Sequence, residues 1–504
     1  MRTVGAHQRW TWIAAVFAAV LAAVLAAPVA VGQSLDTQIE VLLAHTPLGE
    51  ARVGVSVIDV QTGDTLAAIR DGEAFIPASN MKLLTTGAAL LVLGESFEFR
   101  TTLERAGGTL ALRGSGDPAL ADPALLEEMG LGVEDLLGRW VDAVRRSGGP
   151  VDEVVVDASV FDDRFVHPSW PADQLNRWYA AEVAGLNFYT NVVSFYLARD
   201  QPGQPPRVTL EPSAPWLRVR NRARTVDRGQ NTVWVARPAT SNEMTVFGAL
   251  RHTLAEPIPV AVHDPPMVAG RLLADRLARA GLGEPAVRVV RAGDAPPAPG
   301  ETIAVVRSPI STVLRRCNVD SQNLYAEALL KRLGREVTGR AGAFETGAAV
   351  VRMTIEETLG PADAAATVIA DGSGLSRDNR VTPGAMARWL ARLAQDERAG
   401  DAFIESLPIA GDEGTLASRF RGMDLAGVVR AKSGYISRVS CLSGYVLDAD
   451  TGRAVVFSVL VNDIPQHRVP ISRVKALQES IVQVIDGWLA EQGAAVADAD
   501  ALGG

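Results

Sequence analysis

The chain has 504 residues, about three times an ordinary domain, so more than one domain is expected. Hydrophobic residues make up 47% and charged residues 21%, enough apolar content for real cores. The net charge of −9 argues against a nucleic-acid partner, because phosphate binding needs a basic surface.

Arg2 and Arg9 form a basic start, Trp10 to Ala27 is almost unbroken apolar sequence, and Ala30-Val31-Gly32 is a small-residue cleavage site. Residues 1–32 are therefore read as an export signal peptide, with a retained membrane anchor as the other reading. Either way the rest of the chain is expected outside the cytoplasm. Ala51 to Arg70 reads as a hairpin, with Val53, Val55 and Val57 alternating and a turn at Gln61-Thr62-Gly63-Asp64. Pro77-Ala78-Ser79 opens a helix that runs to Leu93 and stops at Gly94.

From 97 to 298 short strand-like runs alternate with helical patches such as Leu125 to Ser147, broken by proline-rich stretches. This region is read as inserted mixed α/β domains, an outer part (97–123 and 200–298) around a nested part (124–199). The flanking segments, 33–96 and 299–490, would form one domain, followed by a tail at 491–504. Helices are expected at 321–335, 343–359 and 383–396, strands at 427–432, 439–447 and 454–461, and a last amphipathic helix over 472–491. The hairpin and the three late strands can form one antiparallel sheet with helices packed on it.

Only four of the 49 basic residues are lysines: Lys82, Lys331, Lys432 and Lys475. Unlike arginine, lysine can lose its proton when desolvated. Ser79-Asn80-Met81-Lys82 places a hydroxyl and an amine three residues apart, on one helix face and near the helix N-terminus. The motif alone is weak, since Ser472-Arg473-Val474-Lys475 also fits; that stretch reads as a surface helix. Ser321-Gln322-Asn323 opens another helix. It can supply a second hydroxyl and an amide that orients Lys82, or it can be plain capping. Lys432-Ser433-Gly434 ends a predicted strand. A cation there can hold a carboxylate and lower the pKa of Lys82, Ser433 adds a hydrogen bond, and Gly434 lets a substrate backbone approach. Chance supplies such a Lys-Ser/Thr-Gly about a few hundredths of a time in this chain.

No Gly-X-Ser-X-Gly occurs, and the six histidines are scattered away from these motifs. Two cysteines, Cys317 and Cys441, are too few for a disulfide scaffold or a metal cluster, and are read as separate buried thiols rather than a bond. The segment Asp371 to Arg377 reads equally as a wall of the cleft or as a glycine-rich turn.

The three motifs in this order are those of β-lactamases and penicillin-binding proteins. Ser79 and Ser321 are 242 apart, wide enough for a large insertion. With Leu112 to Pro118, Arg307-Ser308-Pro309, Asn318 to Glu327, Asp371 to Arg377 and Leu407 to Gly414, the chain from about 50 to 485 resembles the class C, type-4 D-alanyl-D-alanine carboxypeptidases/endopeptidases, which are low-molecular-weight penicillin-binding proteins. The resemblance implies an α/β (α+β) multidomain fold: a β-lactamase/transpeptidase-like domain, with an antiparallel five-stranded sheet flanked by helices, and two inserted domains. It implies that Ser79 attacks the carbonyl between two D-alanines and that Lys82 takes its proton. Ser321 and Asn323 would serve the leaving amine and alignment, and Lys432 and Ser433 would bind the terminal carboxylate. The backbone N–H groups of Ser79 and Tyr435 would form an oxyanion hole. No cofactor or metal is implied. The partners are peptidoglycan peptides, with β-lactams as inhibitors and a weak membrane association through the N-terminal segment if it stays attached. The location is the periplasm or the extracytoplasmic face of the envelope. Ser433 stands where threonine is usual. Tyr435 and Arg438 are bulkier than usual and are expected to narrow the cleft. Two other readings share the scaffold: a β-lactamase or esterase, and a non-catalytic wall-binding protein.

Overall fold

A computed structural model describes residues 34–503. The export-signal reading of 1–32 lies outside them. In chain order the main elements are α1 (Leu35–His45), β1 (Arg52–Asp59), β2 (Thr65–Ile69), α2 (Met81–Leu93), β3 (Glu98–Ala106), β4 (Thr109–Arg113), α3 (Pro123–Glu128), α4 (Val133–Ser147), β5 (Glu153–Asp157), β6 (Val192–Ala198), β7 (Arg207–Glu211), β8 (Ile258–Ala261), α5 (Pro265–Arg279), β9 (Ala286–Val290), β10 (Glu301–Pro309), α6 (Ile310–Val319), α7 (Asn323–Thr338), α8 (Phe344–Leu359), α9 (Pro383–Ala394), β11 (Val428–Ile436), β12 (Val439–Leu447), β13 (Ala454–Asn462) and α10 (Ile471–Gly503).

The first and last strands build one antiparallel sheet in the order β11-β12-β13-β1-β2. This is the antiparallel five-stranded sheet that the late strands and early hairpin lead one to expect. Both of its faces are covered. Val55, Val57, Val459 and Val461 pack with α1 and α10, through Ile39, Leu477 and Ile481. Ile58, Val456, Leu460 and Tyr445 pack with α2, α7, α8 and α9, through Leu84, Leu329, Val351 and Trp389. β1 is therefore buried along most of its length rather than on alternate residues. Gly54 fits the crowding: a Cβ there would meet the Phe75 ring at 2.6 Å and Pro383 at 2.7 Å.

The middle of the chain builds a second five-stranded sheet, β9-β5-β4-β3-β10, with its own core around Leu112, Leu137, Trp140, Val156 and Leu273. Smaller sheets, β8-β6-β7 and the short strands between 219 and 250, extend this part. Sheet membership departs from the expected divisions. Glu301–Pro309 pairs antiparallel with β3, with one register shift between Thr302 and Ala304, so the second sheet reaches past residue 298. β5, inside the stretch read as nested, lies between β4 and β9 of the same sheet, whereas β6 belongs to another. The β3–β10 pairing joins residues some two hundred positions apart, and β4–β5 and β5–β9 join residues 44 and 133 apart, which local pattern does not record. The helical patch at 125–147 is two helices, broken at Gly130, whose φ is +68°.

Candidate active site

Ser79 sits in a 3-10 turn, Ala78–Asn80, that leads directly into α2. Ala78 holds a φ of +46°, a conformation that non-glycine residues adopt only under constraint. The constraint is visible on two sides. The turn lies on β11, where a Cβ on Gly434 would come within 2.9 Å of Ser79 N and 3.0 Å of Pro77 O. On the other side Gly374, at φ +83°, approaches so closely that a Cβ would reach 1.8 Å from Ala78 O. Asn80, buried beneath, braces the turn against the sheet. Turned to satisfy its neighbours, its amide donates to Lys432 O at 3.0 Å and accepts from Ser443 N at 3.1 Å.

Lys82 follows one turn later and is fully buried. Its Nζ lies 3.2 Å from Ser79 Oγ, and it donates to Asn323 Oδ1 at 2.6 Å and to the Ser373 carbonyl at 2.8 Å. A neutral amine has two N–H donors and one lone pair. Two carbonyl oxygens take the two donors, which leaves the lone pair for the serine hydroxyl. Burial lowers the Lys82 pKa to about 8, opposed by the neighbouring Cys317, Glu327 and Asp371. Burial also lowers Lys432, helped by repulsion from Lys82, to about 7. Burial is the largest cause at both amines, and the repulsion between them disfavours the doubly charged pair, which is the influence expected of Lys432.

Asn323 begins α7 and its Nδ2 donates to the Tyr179 carbonyl at 2.7 Å, so a segment from the middle of the chain fixes the amide that faces Lys82. Ser321, at φ +59°, links α6 to α7; it is half-buried, and among the described residues none hydrogen-bonds its hydroxyl. Ser79, Ser321, Asn323 and Tyr435 line one cleft of about 750 Å³. Its other walls come from the middle of the chain (Pro171, Gln174, Trp178, Tyr179) and from Gly374, Leu375 and Arg377. Lys82, Lys432 and Gly434 lie behind that lining, and Ser433 is half-buried on the same strand. The Lys-Ser-Gly motif sits within β11, which continues to Ile436, rather than at a strand end. Tyr435 is half exposed, and its hydroxyl accepts from Gln466 Nε2 at 3.0 Å. Arg438, expected to narrow the cleft, instead occupies the β11–β12 turn at φ +63° and is not in the lining.

Sequence reasoning left the 371–377 segment undecided between wall and turn; it lines the cleft and touches Lys82. It missed Glu327, fully buried on α7 one turn after Asn323, whose two oxygens accept from Gly372 N at 2.9 Å and Ser373 N at 2.8 Å. Burial and the nearby Asp371 push its carboxyl pKa up. The signal available was spacing: Asn323, Glu327 and Lys331 repeat every four residues on one helix face. The contribution of Tyr179 and Trp178 had no local signal, since 144 residues separate Tyr179 from Asn323. Cys317 and Cys441 are both buried and free. Ser472 and Lys475 of the rival motif are exposed on α10.

Among known proteins, a curated D-alanyl-D-alanine carboxypeptidase of Actinomadura sp. (strain R39) is 34% identical over 446 residues, covering 82% of this chain and 78% of the relative. Carboxypeptidase Rv3627c of Mycobacterium tuberculosis is 28% identical over 84% of this chain and 79% of its own length. The crystal structure of penicillin binding protein 4 (dacB) from Haemophilus influenzae superposes with a TM-score of 0.71 at 23% identity, over 88% of this chain and 98% of that one, a likeness of fold. The profile of the D-Ala-D-Ala carboxypeptidase 3 (S13) family matches residues 35–486, and the chain belongs to that family.

Proposed function

We propose that Ser79 is the nucleophile of this serine D,D-peptidase, forming an acyl-enzyme on peptidoglycan stem peptides with Lys82 as its base. The observation that carries this reading is the three-way environment of Lys82 Nζ, with two carbonyl acceptors and the Ser79 hydroxyl as third neighbour. The hydroxyl proton passes to Nζ as Ser79 Oγ bonds to the carbonyl carbon. The oxyanion is held by the N–H groups of Ser79 and Tyr435, in keeping with the close approach of β11 to Ser79 N. Ser321, in the cleft with a free hydroxyl, passes a proton to the departing amine. Lys432, when charged, attracts the terminal carboxylate, and Ser433 hydrogen-bonds it. Water then releases the acyl group. Gly434 and Tyr435 bound the substrate backbone.

Peptidoglycan lies outside the cytoplasmic membrane, so the site of action is extracytoplasmic. A periplasmic location and removal of residues 1–32 belong to the same reading. β-Lactams acylate Ser79 and leave slowly. A β-lactamase on this scaffold would instead turn them over. The stretch 97–309, which holds the second sheet and its own core, is read as the inserted unit.

The test is mass spectrometry of the protein after exposure to fluorescent penicillin. One equivalent of lasting label on the peptide containing Ser79 is expected, and none after Ser79→Ala. Label elsewhere, or release within the mixing time, rejects this assignment.

A further inference from the structure

The amide between Ser373 and Gly374 links Lys82 and Asp371. Its C=O accepts from Lys82 Nζ at 2.8 Å. Its N–H donates to Asp371 Oδ1 at 2.9 Å. A carboxylate bound to the N–H end of a peptide group polarises it and strengthens the carbonyl at the other end as an acceptor. Asp371 is itself fully buried and held by three more donors: Ser376 N at 2.6 Å, Asn379 Nδ2 at 2.7 Å and Trp170 Nε1 at 2.8 Å. Trp170 comes from the inserted segment, just before Pro171 at the wall of the cleft. The geometry points to Asp371 as a positioning residue for Lys82, acting through the Ser373–Gly374 peptide, with Trp170 making the insertion part of that support.

The inference rests on Lys82 being the base. If two N–H groups of Nζ are fixed by Asn323 Oδ1 and Ser373 O, the direction of the lone pair is fixed as well. Asn323 is set by Tyr179 O, and Ser373 O is set by Asp371. Both carbonyl anchors of the base thus trace to one stretch of the insertion, 170–179, which also lines the cleft. Removing that stretch would then loosen the base as well as the substrate wall. The design also accounts for the residue at 374, because no side chain fits between this peptide and Ala78 O.

The test follows acylation of Ser79 by fluorescent penicillin against pH. The titratable groups facing Lys82 are Cys317 from α6, whose thiol burial keeps neutral, Glu327 from α7, Asp371 from the loop and Lys432 from β11. His167, whose pKa burial lowers, lies beside Asp371. Glu327 would take up charge that Asp371 gives up, so profiles are recorded in a Glu327→Gln background. There, adding Asp371→Asn should slow acylation roughly tenfold to a hundredfold, the cost of a misaimed group. It should also move the acidic limb to lower pH, because a carboxylate favours the ammonium form. Trp170→Phe, which keeps the packing and the charge, should slow acylation without moving the limb downward. Ser169→Ala removes a different bond from the same segment to the loop, Ser169 Oγ to Ser376 Oγ at 2.6 Å, and should leave the limb in place. A folded Asp371→Asn variant whose limb stays put overturns the proposal. If that variant does not fold, Trp170→Phe decides, and acylation at the parent rate overturns it. Failure of the base reading itself looks different: Lys82→Met would then acylate like the parent.

Discussion

Two lysines buried side by side cannot both stay protonated without cost. Lys82 sits near 8 and Lys432 near 7, and the reaction needs the first neutral and the second charged. That is one of the two singly protonated forms of the pair, the other carrying the proton on Lys82, and the two values belong to the pair rather than to either residue. The expected kcat/KM profile on a D-Ala-D-Ala peptide is a bell with its maximum between these two values; a monotonic rise from pH 6 to 10 would contradict it. Stability carries the same signature. A lysine whose pKa falls on folding is charged in both states below its folded value, so its burial costs most there. Between about 8 and 10.5 the unfolded chain binds more protons, and stability rises with pH. Lys82→Met should therefore be inactive yet more stable than the parent at pH 6, with the gain shrinking between pH 8 and 10.5 in thermal melts. The motif residues were legible because lysine is rare here and three short motifs occur in order. The partners of Lys82 were only partly legible. Asn323 sits in a motif, but the second anchor is a backbone carbonyl, at Ser373, and any residue type can supply one.

At the scale of elements, the nucleophile turn is fixed by what may approach it. β11 on one side and the 371–377 loop on the other each present a glycine to the 78–79 backbone. Gly374→Ala combines a positive φ with a Cβ 1.8 Å from Ala78 O, so the turn or the loop must move. Penicillin acylation should fall by roughly a hundredfold, with the far-ultraviolet circular dichroism unchanged. Parent-like acylation would show that the turn does not need this contact. Helices α7, α8 and α9 and the strands β12 and β13 follow closely from the apolar pattern, whereas β11 runs on to Ile436, past its expected end at Lys432. Glu327 and Lys331 show the limit of such reading. On α7 they occupy buried positions where the pattern calls for apolar residues, and only tertiary partners explain them. Lys331 Nζ donates to Asp162 Oδ1 at 2.8 Å and to Arg164 O at 2.7 Å, over the Phe344 ring.

For the whole molecule, that lysine is a joint between the insertion and the helix that carries Asn323. Asp162→Ala leaves a buried ammonium with one acceptor fewer, and should destabilise by about 3 kcal/mol in denaturant unfolding. Lys331→Met removes the charge along with the need for a partner, and should cost much less. Equal losses would show that the joint is not electrostatic. The β11-β12-β13-β1-β2 sheet was readable because its strands are apolar and close in sequence, separated by clear turns. The insertion was not, because β3 and β10 pair across nearly two hundred residues and β4, β5 and β9 run parallel through long crossovers. Its role at the site was least legible of all, since Trp170 and Tyr179 reach the base only through Asp371 and Asn323.

The most direct measurement of the central claim is D-alanine release from a pentapeptide stem, run beside the opening of a cross-linked muropeptide. The parent protein should release D-alanine or open the cross-link, prior penicillin should block both, and Ser79→Ala should do neither. Product formation by Ser79→Ala at the parent rate, or no product from either substrate with the parent, would contradict the account.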